Sequence, residues 1–301
     1  MDGKGNLTVT REVADGAQVA SNAHIGPFCT IGPDVVVGPR TVLGRRVTVL
    51  GRTNLGCDNV IGDGSALGLS PQDLKYCGTA TYLIIGDRNH FGPNCTAHVG
   101  TESGGYLTRI GSDNILDAGA HVAHDCYVDD HTHLGAWVLL AGHVRVETGA
   151  VIEESCGAHH FTTIGAYSRV GARTPIRRDV PPFSYFTSFG LYTAPPAPRG
   201  AHEQGIQRAG LPEQERAQLR QAIQHLFENE RALALKVEQM LADDDLPQPL
   251  RQLCEFCRRS LRGRFGRHRE SFRGKLPPEA AEHLPPEFLA QLPAREGANG
   301  Q

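Results

Sequence analysis

The fold is decided by residues His24 to Gly44, HIGPFCTIGPDVVVGPRTVLG, in which an aliphatic residue followed by glycine returns every six positions. Counted outward, the same step passes without a break through Val13, Val19, Ile25, Ile31, Val37, Leu43, Val49, Leu55, Ile61 and Leu67. It resumes at Ile85 and Phe91, and again from Ile110 through Leu140 to Ile176. The residue after each is usually small or acidic, and the fifth of each hexad is small or β-branched. A period of six fits neither an α-helix nor an alternating strand. A β-sandwich would need a period of two and frequent hairpins. A parallel β-helix with three short sides per coil satisfies the pattern: each hexad gives one strand and one corner, and the aliphatic residue points inward. Equivalent residues then stack about 4.8 Å apart in a continuous buried column.

Two stretches break the register: Gly68 to Tyr82, containing GLSPQDLKYCG, and Val99 to Arg109, containing GTESGGYLT. Loops ejected from a rigid solenoid often carry function. After Ile176 a proline-rich exit, RRDVPPFSYFTSFGLYTAPPAPRG, leads to residues with helical spacing. The spacing predicts one helix over Pro212–Ala242 and a second over Pro249–Arg262. The domains expected are therefore an all-β β-helix over residues 1–190, a connection and α-helical C-terminal domain over 191–275, and a flexible Pro-rich tail over 276–301.

The 301 residues carry a formal net charge of −3, which argues against wholesale nucleic-acid binding. No apolar run is long enough to span a bilayer, and the N-terminus lacks a signal-peptide core. The expectation is a cytoplasmic protein with no stable membrane insertion. Of eight cysteines, Cys29, Cys95, Cys126 and Cys156 fill the fifth hexad slot as small packing residues. Cys254 and Cys257 form a lone C-x-x-C on a helix, a poor zinc site.

The segment Ala120–Val144 holds His121, His124, His131, His133 and His143. His98 and His159 take second-slot positions where a small residue belongs, so they break the local rule without aiding packing. His124 and His160 lie 36 residues apart, equivalent to two 18-residue coils, with Gly142 and His143 between them. They should share one edge roughly 10 Å apart. His131 and His133 are expected on the solvated outer face. Imidazoles so clustered serve as base, hydrogen-bond donor or metal ligand. The γ-class carbonic anhydrases share the β-helix and bind zinc, but through a histidine pair five apart that this chain lacks.

A closer resemblance rests on HIGPF (His24–Phe28), SPQDLKYCG (Ser70–Gly78), IGDRN (Ile85–Asn89), GSDN (Gly111–Asn114), AHVAHDC (Ala120–Cys126), LAGHV (Leu140–Val144) and DVPP (Asp179–Pro182). In order and spacing, over Val13 to Arg267, these resemble the UDP-N-acetylglucosamine O-acyltransferases. Those enzymes begin lipid A biosynthesis by moving a 3-hydroxyacyl chain from acyl carrier protein to the sugar 3-hydroxyl. The resemblance implies a left-handed β-helix, a homotrimer, and chemistry that uses no metal or cofactor. It makes His124 the general base, Asp125 the acid that orients it, and Gly142 the source of the N–H that meets the oxyanion. Asp73, Lys75, His98, His121, His143 and His159 match positions that hold the nucleotide sugar or shape the site, and Arg208 a diphosphate-binding arginine. Ala172 aligns with the position that measures acyl-chain length.

Several residues depart from the family pattern. His160, assigned to substrate by its place opposite His124, stands where glutamine is usual. Glu153 and Glu154 replace Gly-Gly, Trp137 a small polar residue, Val99 a basic one, Ala209 a second arginine and His202 an asparagine; Arg169 has no evident purpose. The basic run from Arg251 to Lys275, with Arg258, Arg259 and Arg262 at its centre, suits an acidic acyl carrier protein. Alternative readings are an N- or O-acyltransferase on another nucleotide sugar, a zinc-dependent γ-carbonic-anhydrase-like protein, or an inactive scaffold.

Overall fold

In a computed structural model, which describes residues 11–188, 195–228, 232–284 and 286–289, the hexads form a left-handed parallel β-helix. Strands mostly two residues long stack into sheets of nine, eight and ten strands, the three faces of a triangular prism. Regular coils pair eighteen residues apart, as in His121 with Leu139 and Leu139 with Gly157. The second strand residue points inward: Ile25, Leu43, Ile61, Phe91, Leu116, Leu134, Ile152 and Val170 make one buried column. Burying each such side chain stabilises the fold by about 1.5–3 kcal/mol.

The corners require left-handed backbone, and non-glycine residues supply most of it. Asp125 (φ 59°), His143 (φ 66°) and Phe161 (φ 63°) turn the first edge, Asp113, His131 and Tyr167 the second, and Trp137, Ser155 and Arg173 the third. The motif residues Asn89 and Asn114 have a structural use: Asn59, Asn89 and Asn114 form a buried ladder. Each side-chain oxygen accepts the backbone N–H one coil on, at 2.9, 2.9 and 2.7 Å, the last from Thr132.

Beyond the final coil a strand at Ser184–Thr187 pairs antiparallel with Ala197–Ala201. Helices α1 (Glu203–Arg208), α2 (Glu213–Phe227), α3 (Leu233–Leu241) and α4 (Gln248–Arg262) follow. The single helix expected over Pro212–Ala242 is two, with Ala232 outside the helical region (φ −101°, ψ 5°). Leu219, Ile223, Leu226, Val237, Leu253 and Cys257 build a second core under which Phe183 of the β-helix end is buried. Cys254 and Cys257 are buried packing residues there.

The expected flexible tail departs most. After a 3-10 turn at His268–Phe272, still within the expected C-terminal domain, residues 276–284 and 286–289 of the tail run back along the β-helix with helices α5 (Pro278–His283) and α6 (Pro286–Leu289). Ala280 and Leu284 are buried against Leu107 and Tyr127. The proline-rich composition hides these apolar contacts, because the residues that make them are scattered among prolines and charged residues with no sustained period. Residues 290–301 of that tail, like 1–10 and 189–194, lie outside the described residues.

Candidate active site

Both ejected loops leave the prism at the first edge. Residues 70–81 join strand Ala66–Leu69 to Tyr82–Ile85, and residues 99–106 join Thr96–His98 to Leu107–Ile110. In the coils that follow, the same edge carries His124–Asp125, Gly142–His143 and His160–Phe161 at 18-residue intervals.

The centre is a buried relay. His124 is 8% exposed, and its Nδ1–H donates to Asp125 Oδ2 at 2.7 Å. Asp125 is 1% exposed, and Thr101 grips it by donating N–H to Oδ1 at 2.8 Å and Oγ1–H to Oδ2 at 2.6 Å. The Asp125 N–H donates to Thr108 Oγ1 at 2.8 Å. Charge-assisted bonds of this length offset the cost of burying a carboxylate and fix its orientation. Gly104 is needed here because a Cβ would collide with the Asp125 carboxylate. With the proton of His124 fixed on Nδ1, Nε2 is the basic nitrogen left for chemistry.

Gly142 lies against that ring. A Cβ there would stand 2.7 Å from His124 Nε2, so glycine is required by close approach. Its N–H has no hydrogen-bond partner among the described residues, leaving a fixed donor beside the base. His143 stacks flat on Phe161 (4.2 Å, 3°) and meets His124 edge-on at 5.2 Å. Burial pushes its pKa down to about 4, so it is neutral near pH 7. Burial likewise lowers His121 to about 4; its Nδ1 is hydrogen-bonded to Thr96 Oγ1 at 2.8 Å.

A cavity of about 380 Å³ opens on Asp73, Lys75, His124, Gly142, His143 and His160. A second, about 360 Å³, shares His124 and Gly142 and reaches His121 and Leu139. The donor atoms of His124, Asp125 and His143 lie within 4.8 Å of one another, a set that could hold a cation. At 2.7 Å, however, the His124–Asp125 contact is a hydrogen bond, and a metal would have to displace that proton.

The other residues expected at the site are distributed more widely. His98 is buried, and its Nδ1–H donates to the Ser70 carbonyl at 2.7 Å, so it ties down the root of the loop that carries Asp73 and Lys75. His159 donates to the His160 carbonyl at 3.2 Å. Arg208 donates to the Gly149 carbonyl at the second edge, and Ala172 sits at the third beside Arg173. One chain therefore brings neither to His124. His131 is exposed and His133 pairs with Asp117 at 2.8 Å in partial exposure.

The profile described as UDP N-acetylglucosamine O-acyltransferase, domain 2, matches residues 179–265, and the bacterial transferase hexapeptide profile matches 12–45 and 107–142. The acyl-[acyl-carrier-protein]–UDP-N-acetylglucosamine O-acyltransferase of Verminephrobacter eiseniae is 45% identical over 222 residues, covering 74% of this chain and 83% of that protein. The chain belongs to the UDP-N-acetylglucosamine O-acyltransferase family. Solved structures agree. LpxA of Acinetobacter baumannii is 34% identical with a TM-score of 0.74, covering 81% of this chain and 92% of that one. The UDP-N-acetylglucosamine O-acyltransferase of Moraxella catarrhalis is 31% identical with a TM-score of 0.75, covering 81% and 93%.

Within this acyltransferase, some departures from the family pattern have local partners. Arg169, with no purpose legible in the sequence, is the counterion of Glu153, donating from Nε at 2.6 Å. His202 is buried and donates to the Tyr167 carbonyl at 2.8 Å. Val99 is buried in the β-helix core. Trp137, 62% exposed, lies at the third edge, away from His124. Nothing in the structure explains Ala209. The basic run is not one solvated surface. Arg267 and Arg269 are buried in ion pairs with Glu270 and Glu279, whereas Arg258, partly exposed, and Arg262, exposed, stand near Glu238 at 4.0 and 3.5 Å. Sequence reasoning missed Thr101, Thr108 and Gly104; the hydroxyls and Gly-Gly pair inside the second register break were the available signal.

Proposed function

We propose that this protein transfers a 3-hydroxyacyl chain from acyl carrier protein to the 3-hydroxyl of UDP-N-acetylglucosamine, the first step of lipid A biosynthesis. The observation that carries the reading is the Thr101–Asp125–His124 relay with the Gly142 N–H beside its open nitrogen. His124 Nε2 takes the proton from the sugar O3–H as that oxygen bonds to the thioester carbonyl carbon. The carbonyl electron pair moves to oxygen, where the Gly142 N–H stabilises it. Collapse reforms the C=O and breaks the C–S bond, and the leaving sulfur takes the proton back from Nε2. Asp125 keeps the imidazole in the right tautomer and stabilises the transient imidazolium.

Asp73, Lys75, His121, His143, His159 and His160 position the sugar nucleotide, and His98 acts with them by fixing the loop root. Arg208 would meet the diphosphate and Ala172 measure the acyl chain. Both lie on other edges of the prism, which favours a homotrimer in which a neighbouring copy completes each site. Arg258, Arg259 and Arg262 receive the acidic carrier. No helix among the described residues is long and apolar enough to cross a membrane, in keeping with action in the cytoplasm. Incubation with UDP-N-acetylglucosamine and a panel of 3-hydroxyacyl carrier proteins, followed by mass spectrometry, should show one acyl group added to the sugar nucleotide. No addition with any chain length would overturn the proposal.

A further inference from the structure

The C-terminal family match ends at residue 265, yet the chain continues into the active-site wall. Three contacts fix its course. The Glu279 carboxylate accepts from Arg269 at 2.7 Å and also pairs with Arg145 of the β-helix. Phe288 packs edge-on against Tyr82 at 5.1 Å and Tyr106 at 5.4 Å. Gly105 is left-handed (φ 112°), and a Cβ on it would lie 2.8 Å from Pro277. Tyr106 and Gly105 belong to the loop whose Thr101 grips Asp125, so the segment braces the relay from outside.

Between these anchors the segment enters the cavity. Arg273 lines it with Lys75, His124 and His160. Its guanidinium lies 4.5 Å from the centre of the Phe161 ring, the ring on which His143 stacks. Glu270, almost wholly buried, accepts from Arg273 Nη2 at 2.9 Å and from Arg267 Nη2 at 2.6 Å. One carboxylate thus serves two arginines, leaving a net positive charge at the cavity wall. A stacked, carboxylate-braced guanidinium loses little freedom on binding and presents its remaining donors in a fork suited to phosphate oxygens.

We propose that Arg273 is a substrate-positioning residue whose guanidinium takes a phosphate oxygen of one substrate, with Glu270 and Phe161 holding it in place. The phosphate is either the diphosphate of the sugar nucleotide or the phosphodiester of the carrier's phosphopantetheine arm. The assignment rests on the acyl-transfer reading above and extends it to a segment beyond the family's matched domain.

The test uses the full chain with Arg273→Ala and Arg273→Lys. Each is titrated at equilibrium with UDP-N-acetylglucosamine and with 3-hydroxyacyl-phosphopantetheine lacking the carrier, and kcat and KM are measured for both substrates. A charge-assisted bond at a half-exposed arginine predicts that Arg273→Ala weakens binding of one probe, and raises that substrate's KM, by about tenfold. The kcat should stay within about threefold and the other probe be unaffected, while Arg273→Lys recovers part of the loss because it keeps the charge but not the fork. Which probe weakens tells the two phosphates apart. Wild-type-like binding of both probes by Arg273→Ala, a uniform loss of kcat with unchanged KM, or binding of neither probe by the wild type would overturn the proposal. Acyl transfer by the wild type, assayed in parallel, decides the acyltransferase reading separately.

Discussion

The backbone of Gly142 lies directly against the His124 ring, and this makes Gly142→Ala a sharp perturbation. The added methyl would stand 2.4 Å from Cε1, 2.7 Å from Nε2 and 3.0 Å from Nδ1. An ordinary carbon contact is about 3.5–4.0 Å, so the ring must retreat by about 1 Å. It cannot retreat freely, since Nδ1 is bound to Asp125 at 2.7 Å and Thr101 fixes Asp125 in turn. A displacement of about 1 Å at a reacting group costs on the order of 10² in rate. The backbone at Gly142 is not left-handed, so alanine leaves the corner intact. Overpacking should lower stability by about 1–3 kcal/mol, too little to unfold a β-helix of this size. Initial rates of acyl transfer at saturating substrates, paired with a thermal melt, should therefore show kcat down about 10² in a folded protein. A variant keeping more than half the wild-type kcat would refute the placement of His124 against Gly142.

Three further outcomes follow from the same geometry. Thr101→Val removes the 2.6 Å bond to Asp125 Oδ2 but keeps the N–H bond to Oδ1; kcat should fall by about tenfold with little change in either KM, and unchanged kinetics would remove Thr101 from the relay. His143 has a pKa pushed by burial from 6.5 to about 4, so the unfolded chain binds its proton first and the folded protein loses stability as pH falls from about 6.5 to 4. His143→Phe should abolish on the order of 3 kcal/mol of that decline in urea titrations at pH 7 and 4; parallel pH curves would show that His143 is not buried as described. Reversing Arg258, Arg259 and Arg262 to glutamate should raise the KM for the carrier protein at low salt while leaving that for the sugar nucleotide unchanged; an unaltered carrier KM would return these arginines to an ordinary solvated surface.

The prism was legible because its signal is redundant: a glycine or corner residue and a buried aliphatic recur at more than twenty positions, so one irregular hexad changes nothing. His124 and His160 could be placed on one edge by arithmetic, since two coils of 18 residues leave little freedom. Loops have no such period. That Thr101 would reach Asp125, or that Ser70 would engage His98, depends on how a register break folds back, which no spacing encodes. The same limit hid the course of residues 268–284 and 286–289, whose anchors Glu279 and Phe288 meet β-helix partners 134 or more residues away in sequence. Arg169 shows the converse. It had no purpose alone, but Glu153 explains it once the two stack in adjacent coils.

Acyl transfer to a sugar nucleotide depends on His124 acting as the base. Its most direct test is mass-spectrometric rate measurement with UDP-N-acetylglucosamine and the best 3-hydroxyacyl carrier protein, comparing the wild type with His124→Ala. The wild type should form the O-acylated sugar nucleotide, and His124→Ala should form it slower by on the order of 10² to 10⁴ while staying folded and still binding UDP-N-acetylglucosamine. Transfer by His124→Ala at the wild-type rate would contradict the central claim.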